Sequence, residues 1–174
     1  MPLVLNGTTG VQDNSGAFVL GTAVTTSGTS VDFTSIPSWV KRVTVMFSAV
    51  STNGSSVPYL IQIGPSGGVE TSGYLGSSSG ISSSAANGVN VTAGFGLYPD
   101  NSSTVVLSGS VTISLLNAAT NTWVAAGVAS QSDRAYSTFS SGSKSLAGTL
   151  NRLRITTSNG TDTFDNGTIN ISYE

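Results

Sequence analysis

The chain has no cysteine and no histidine among its 174 residues. Their absence removes disulfides, thiol nucleophiles, imidazole bases and nearly every zinc or copper centre, because those chemistries depend on these two side chains. Charge is scarce as well: six Lys plus Arg and eight Asp plus Glu make 8% of the chain, against the ~25% usual in soluble domains. A net charge of −2 over this length offers no field for gathering phosphates, which argues against a nucleic-acid partner. No apolar run approaches the ~18 residues of a membrane-crossing helix, so membrane insertion is not expected. The opening MPLVLNGTTG lacks the cationic start of a signal peptide.

What stands in place of charge is Ser, Thr, Asn and Gly, with a hydrophobic fraction of 38%. Low net charge with many β-branched residues is the reverse of a disordered composition. One domain is expected, long enough to bury roughly 70% of its unfolded surface.

No segment carries helical periodicity over ten residues, whereas period-2 alternation recurs. Val43, Val45, Phe47 and Ala49 share one face of a strand. Leu60 to Ile63 form a short apolar strand that the Gly64-Pro65-Ser66-Gly67-Gly68 cluster ends. Val89, Val91, Ala93, Phe95 and Leu97 alternate as one strand. Val105 to Leu115 run further, with Gly109 marking a bulge or a bend between sheets. LNAATNT (116–122) reads as a hairpin connection to an antiparallel strand from Trp123 to Val128. Two more strands follow, Leu150 to Thr157 and Thr168 to Tyr173, and the two Asn-Gly steps between them favour tight turns.

Seven to nine strands without crossover helices predict an all-β fold, an antiparallel two-sheet β-sandwich of jelly-roll type. Its expected core includes Val43, Val45, Phe47, Val91, Phe95, Val111, Ile113, Leu115, Ile155, Ile169 and Ile171. Residues 1–30 differ, with short apolar pieces (Leu3 to Leu5, Phe18 to Leu20) set in Gly, Thr and Ser. They read as an N-terminal arm that makes attachment or oligomer contacts, leaving 31–174 as the sandwich.

Lys41 and Arg42 stand together where the first clear strand begins. Charges flanking a hydrophobic strand guard against edge pairing, and this pair is read as serving the strand. Trp39 is read as a lid on one end of the core.

Catalytic constellations are hard to find. Ser141-Gly142-Ser143-Lys144 has the Ser-x-x-Lys spacing of some acyl enzymes, but that spacing works on a helical turn and this segment reads as loop or strand. Asp162 and Asp165 are near enough in sequence to share a calcium ion, yet they match no calcium-loop pattern. GPSGG lacks the Lys-Ser/Thr ending of a phosphate loop. Asn-x-Ser/Thr steps recur as chance predicts in so Asn- and Ser-rich a chain. No cofactor or metal is expected, and no enzyme.

FTSIPSWVKRVTVMFSAVSTNGSS, IQIGPSGGVETSGYLGSSS, SLLNAATNTWVAAGV and GTLNRLRITTSNGTDTFDNGTINISYE, taken in order, resemble the C-terminal domain of bacteriophage and prophage tail-fibre proteins. The resemblance covers roughly residues 31–174 and carries no catalytic or ligand motif. It implies a non-enzymatic structural protein of the virion, assembled in the host cytoplasm and released by lysis. Implied partners are other virion proteins, further copies of the chain (a trimer, by analogy with fibres) and a host surface polysaccharide or protein. A capsid decoration protein would suit the short length; a polysaccharide depolymerase would need paired carboxylates that the sequence does not suggest. Loops that join a ring to a polar partner are the candidate receptor contacts: Tyr74, Tyr98 with Asp100, and Asp133-Arg134 with Tyr136. Rings stack on sugar faces while carboxylate and guanidinium bond hydroxyls.

Overall fold

The computed structural model describes residues 18–54, 57–98, 105–131 and 134–174, and these form thirteen strands in two antiparallel sheets. The small sheet has the order β3 (Ser30–Phe33), β12 (Arg152–Thr157), β5 (Tyr59–Gly64) and β8 (Phe95–Leu97). The large sheet begins with β1 (Val19–Leu20), β13 (Phe164–Tyr173), β4 (Arg42–Thr52) and β9 (Leu107–Asn117). It continues through β10 (Thr122–Gln131), β11 (Tyr136–Ser145), β6 (Leu75–Ser82) and β7 (Ala86–Val91), with β2 (Val24–Thr25) also paired to β13.

Alternation decides which side chains meet between the sheets, since successive residues of a strand point to opposite faces. Val43, Val45, Phe47, Val111, Ile113 and Ile169 of the large sheet are buried against Ile61, Ile63, Leu153 and Ile155 of the small one. Of the predicted core, Leu115 alone is only partly buried; it lies near the hairpin that ends β9. Trp39 packs on the same core and tilts against Tyr173, with ring centroids 5.9 Å apart.

Three expectations about strands change. The alternating run from Val89 to Leu97 is two strands, not one: β7 lies in the large sheet, β8 in the small one, and Thr92 to Gly94 cross between them. Alternation survives the crossing because Val91 and Phe95 both face the interior from opposite walls. Gly109 lies at a bulge, as expected, but β9 stays in one sheet. The extra residue is on β4, between Phe47 and Val50, where Ala49 has a φ of 53°. Gly109 itself has a φ of 155°, and a Cβ there would come within 2.3 Å of the Val128 carbonyl, so only glycine lets the strands close. The second Asn-Gly step is not a turn either. Gly167, with a φ of 97°, sits in a bulge inside β13, which therefore begins at Phe164 rather than Thr168.

β6 and β11 escaped the pattern altogether. Their inward positions are largely polar, with Ser78, Thr138, Ser140 and Lys144 beside Tyr136, and the hydroxyls of Ser78 and Thr138 accept hydrogen bonds from the Tyr98 N–H at 2.7 and 3.0 Å. Within the expected arm, β1 and β2 pair with β13 and so belong to the large sheet; Leu3 to Leu5 lie outside the described residues. At the mouth of β4, Arg42 forms an ion pair with Glu174, whose carbonyl also accepts the N–H groups of Lys41 and Arg42. The pair of cations thus ties the start of β4 to the end of β13.

Candidate functional site

The outward face of the small sheet carries three of the chain's few charged side chains, Asp32, Arg152 and Arg154. The register places Asp32 of β3 beside Arg154 of β12, and Arg154 beside Gln62 of β5. All three therefore project to the same side, away from the core. The Arg154 guanidinium donates two parallel hydrogen bonds to the Asp32 carboxylate, Nε to Oδ1 at 2.7 Å and Nη2 to Oδ2 at 2.8 Å. These bonds raise the guanidinium pKa further above its ordinary range. Side chains exposed by 41% and 42% leave the pair open to a ligand, and an exposed pair of this kind adds little to stability.

Two depressions flank the pair. One, of 370 Å³, is lined by Gln62, Thr71, Thr156 and the 157–160 turn; the other, of 310 Å³, by Asp32, Thr34, Val69, Thr71 and Arg152. Thr71 and Arg154 border both, so the two form one interrupted groove across the sheet. Its polar groups are well anchored. The Gln62 amide donates to the Ala93 carbonyl at 3.0 Å, and the Thr156 hydroxyl to the Thr29 carbonyl at 2.9 Å. Arg152 donates to the carbonyl of Ser66 in the neighbouring turn.

The wall that carries Val69 and Thr71 is fixed from behind. Tyr74 is 1% exposed; its hydroxyl accepts the Ile63 N–H at 2.8 Å and donates to the Glu70 carbonyl at 3.0 Å. Burial pushes the Tyr74 phenol pKa far above its ordinary value. Glu70 in turn pairs with Lys144 of β11 at 2.5 Å and accepts the Ala147 N–H at 2.8 Å. Burial raises the Glu70 carboxyl pKa, but the Ala147 N–H and the Lys144 ammonium outweigh it and hold the group below its ordinary 4.5. Lys144 also stands 5.5 Å from the centre of the Tyr74 ring. A chain so poor in charge uses a half-buried ion pair to hold a loop.

The receptor residues read from sequence fall elsewhere. Tyr74 and Tyr136 are buried, so neither ring offers a face to a ligand; the Tyr136 ring fills the space over Gly80. Tyr98 is half-buried and held by its backbone to β6 and β11, near the end of β11 that Tyr136 begins. Arg134 is half-buried in the turn just before Tyr136. These three lie toward one end of β11, and Tyr74 packs by Lys144 at the other. Asp100 and Asp133 lie outside the described residues. Sequence reasoning looked for rings and missed Asp32 and Arg154. The available signal was period 2: Arg152 and Arg154 alternate with the buried Leu153 and Ile155, which marks them as facing outward.

Two other candidates resolve by geometry. Ser141 and Lys144 lie three apart on a strand, so the hydroxyl faces out and the ammonium faces in, and they cannot form a nucleophile–base pair. The Asp162 carboxylate accepts a hydrogen bond from Asn159 at 2.8 Å, and that of Asp165 accepts one from Ser51.

No family model, curated protein or solved structure matches this chain.

Proposed function

We propose that the chain is a non-enzymatic structural component of a bacteriophage virion, tail-fibre-like, whose small-sheet groove contacts the host surface. The observation that carries the recognition part is the Asp32–Arg154 fork set between two depressions, one lined by hydroxyls and the Gln62 amide and the other by Thr34, Thr71 and Arg152. A carboxylate and a guanidinium held side by side present acceptors and donors at fixed spacing, which suits the vicinal hydroxyls of a surface polysaccharide. The virion part is supported by the four sequence blocks that resemble tail-fibre C-terminal domains.

The same reading takes the sandwich to be of jelly-roll type. Chain order supports this: β3, β5, β8 and β12 of the small sheet are interleaved with β4, β9 and β13 of the large one, as when a folded ribbon wraps around a core. The β6–β7 and β10–β11 hairpins then extend the large sheet. On the particle the chain works as a homo-oligomer, a trimer by analogy with fibres.

The test has two arms. Antibody labelling of purified particles is expected to mark the tail; labelling on the capsid would move the chain to the decoration class, and no labelling would end the virion reading. Separately, titration of host surface polysaccharide into the protein is expected to give saturable binding that Arg154→Ala abolishes. Binding unchanged by Arg154→Ala and Asp32→Ala would remove the groove from the reading.

A further inference from the structure

We propose that the outer face of the large sheet is a homotypic interface, the surface on which a second copy of this chain seats. The proposal sharpens the oligomeric part of the preceding reading, on which it rests: a face that meets its own copy makes a two-fold pair in place of the trimer taken from fibres, wherever on a particle the protein resides.

Registers across the sheet define what this face presents. One row of side chains runs from Leu20 on β1 through Thr44, Ala126 and Ser141 to Asn90 on β7. The next runs from Asn170 through Met46, Val128 and Phe139 to Gly88. Neither row contains a charged residue, although they cross the sheet from β13 to β7. Arg42 stands at the margin and is already paired with Glu174.

Within this neutral field stand apolar side chains left open: Val128 and Phe139 face each other across β10 and β11 at 51% and 41% exposure, with Ile81 and Leu75 beyond them on β6. Patches of that kind mark interaction surfaces. Their partner is argued from charge. Two copies of one chain carry the same net sign, so they approach most readily through a face on which neither holds a charge, and this one qualifies. Serine and threonine hydroxyls, each both donor and acceptor, can pair with an identical row opposite.

Size agrees. Eight strands at ~4.8 Å spacing and about six residues of length at ~3.4 Å each give ~34 by ~20 Å, or ~700 Å² per copy. The pair would bury about 1,400 Å², within the range of stable specific interfaces.

Sedimentation equilibrium of the full chain tests the idea. The wild type is expected to be oligomeric, and Phe139→Glu to weaken association by about 30-fold or more, the loss expected when a central aromatic contact is replaced. Because the chain lacks cysteine, Ala126→Cys offers a second readout that tolerates any effect of Phe139→Glu on folding. A short bis-maleimide should link Ala126→Cys chains into dimers, whereas Ser158→Cys, on the opposite side of the sandwich, should stay unlinked. A monomeric wild type would overturn the proposal and the oligomer reading together. An oligomer that Phe139→Glu leaves intact, or that fails to link through Ala126→Cys, would overturn this surface alone.

Discussion

The two outward faces of the sandwich are built from the same backbone and differ in nearly everything else. The small-sheet face is narrow, walled by the loop that carries Val69 and Thr71 and by the 157–160 turn, and it carries Asp32, Arg152 and Arg154. The large-sheet face is wide, open and uncharged across its central rows. In a chain with 14 charged residues, where those charges are spent distinguishes the surfaces. A face that holds a fork of opposite charges between depressions would, as proposed, suit a small polar ligand. A wide one of hydroxyls and open apolar side chains would, as proposed, suit another protein surface.

The difference is confined to the outward faces, and unequal inward faces would break it. Ile155→Ala on the small sheet and Ile113→Ala on the large one remove fully buried side chains from the same core. Each is expected to cost ~2–5 kcal/mol in chemical denaturation, as large-to-small core changes do. A cost confined to one sheet would mean the two do not share a core.

Next in size is the loop behind the groove. Lys144→Met leaves the half-buried Glu70 carboxylate without its cation, at a cost of ~1–2 kcal/mol. Hydrogen exchange should rise first in the segment around Glu70, and the large-sheet face should be unaffected. Acid should act on the same place. Because Glu70 in the folded chain titrates below its ordinary 4.5, the pair's stabilisation is complete above that pH. It is lost as the pH falls through the lower, folded value. A melting temperature for the wild type that drops in acid, beside a Lys144→Met variant that drops less, would sharpen the assignment.

Arg154→Ala is expected to change stability by under ~1 kcal/mol, since its pair with Asp32 is exposed. Its effect should fall on ligand binding. A similarly small change in monomer stability, within ~1 kcal/mol by thermal melting, is expected for Phe139→Ser, which loses mainly its cross-strand contact with Val128. A large loss there would mean the ring supports the fold, and the contrast between the faces would weaken.

Much of the fold was legible because burial on one face of a strand writes itself as period 2. The strands around Val45, Val111 and Ile171 were read in this way, whereas the one around Ile61 was read from an unbroken apolar run that a Gly-Pro turn ends, and the one around Ala125 from the hairpin connection before it. β6 and β11 were not, because their inward hydroxyls meet a backbone N–H instead of apolar partners. For Ser78 and Thr138 the interior is a set of hydrogen bonds, and no alternation in hydrophobicity records it. The crossing at Thr92 to Gly94 was hidden for the opposite reason: both flanking strands point their apolar residues inward, so the pattern runs on through the change of sheet.

By itself, then, the sequence determined the all-β class, which apolar residues of the alternating strands face inward, and the absence of thiol and imidazole chemistry. These are local matters, since pleating, steric limits on φ and side-chain chemistry act over a few residues. Only the tertiary structure decided that Tyr74 is buried as a strut, that Lys144 serves Glu70, and that Asp32 meets Arg154. That last pair is separated by 122 positions and is brought together by strand register alone. Register is the sum of every pairing in a sheet, so contacts between strands far apart in the chain emerge only when the whole sandwich closes.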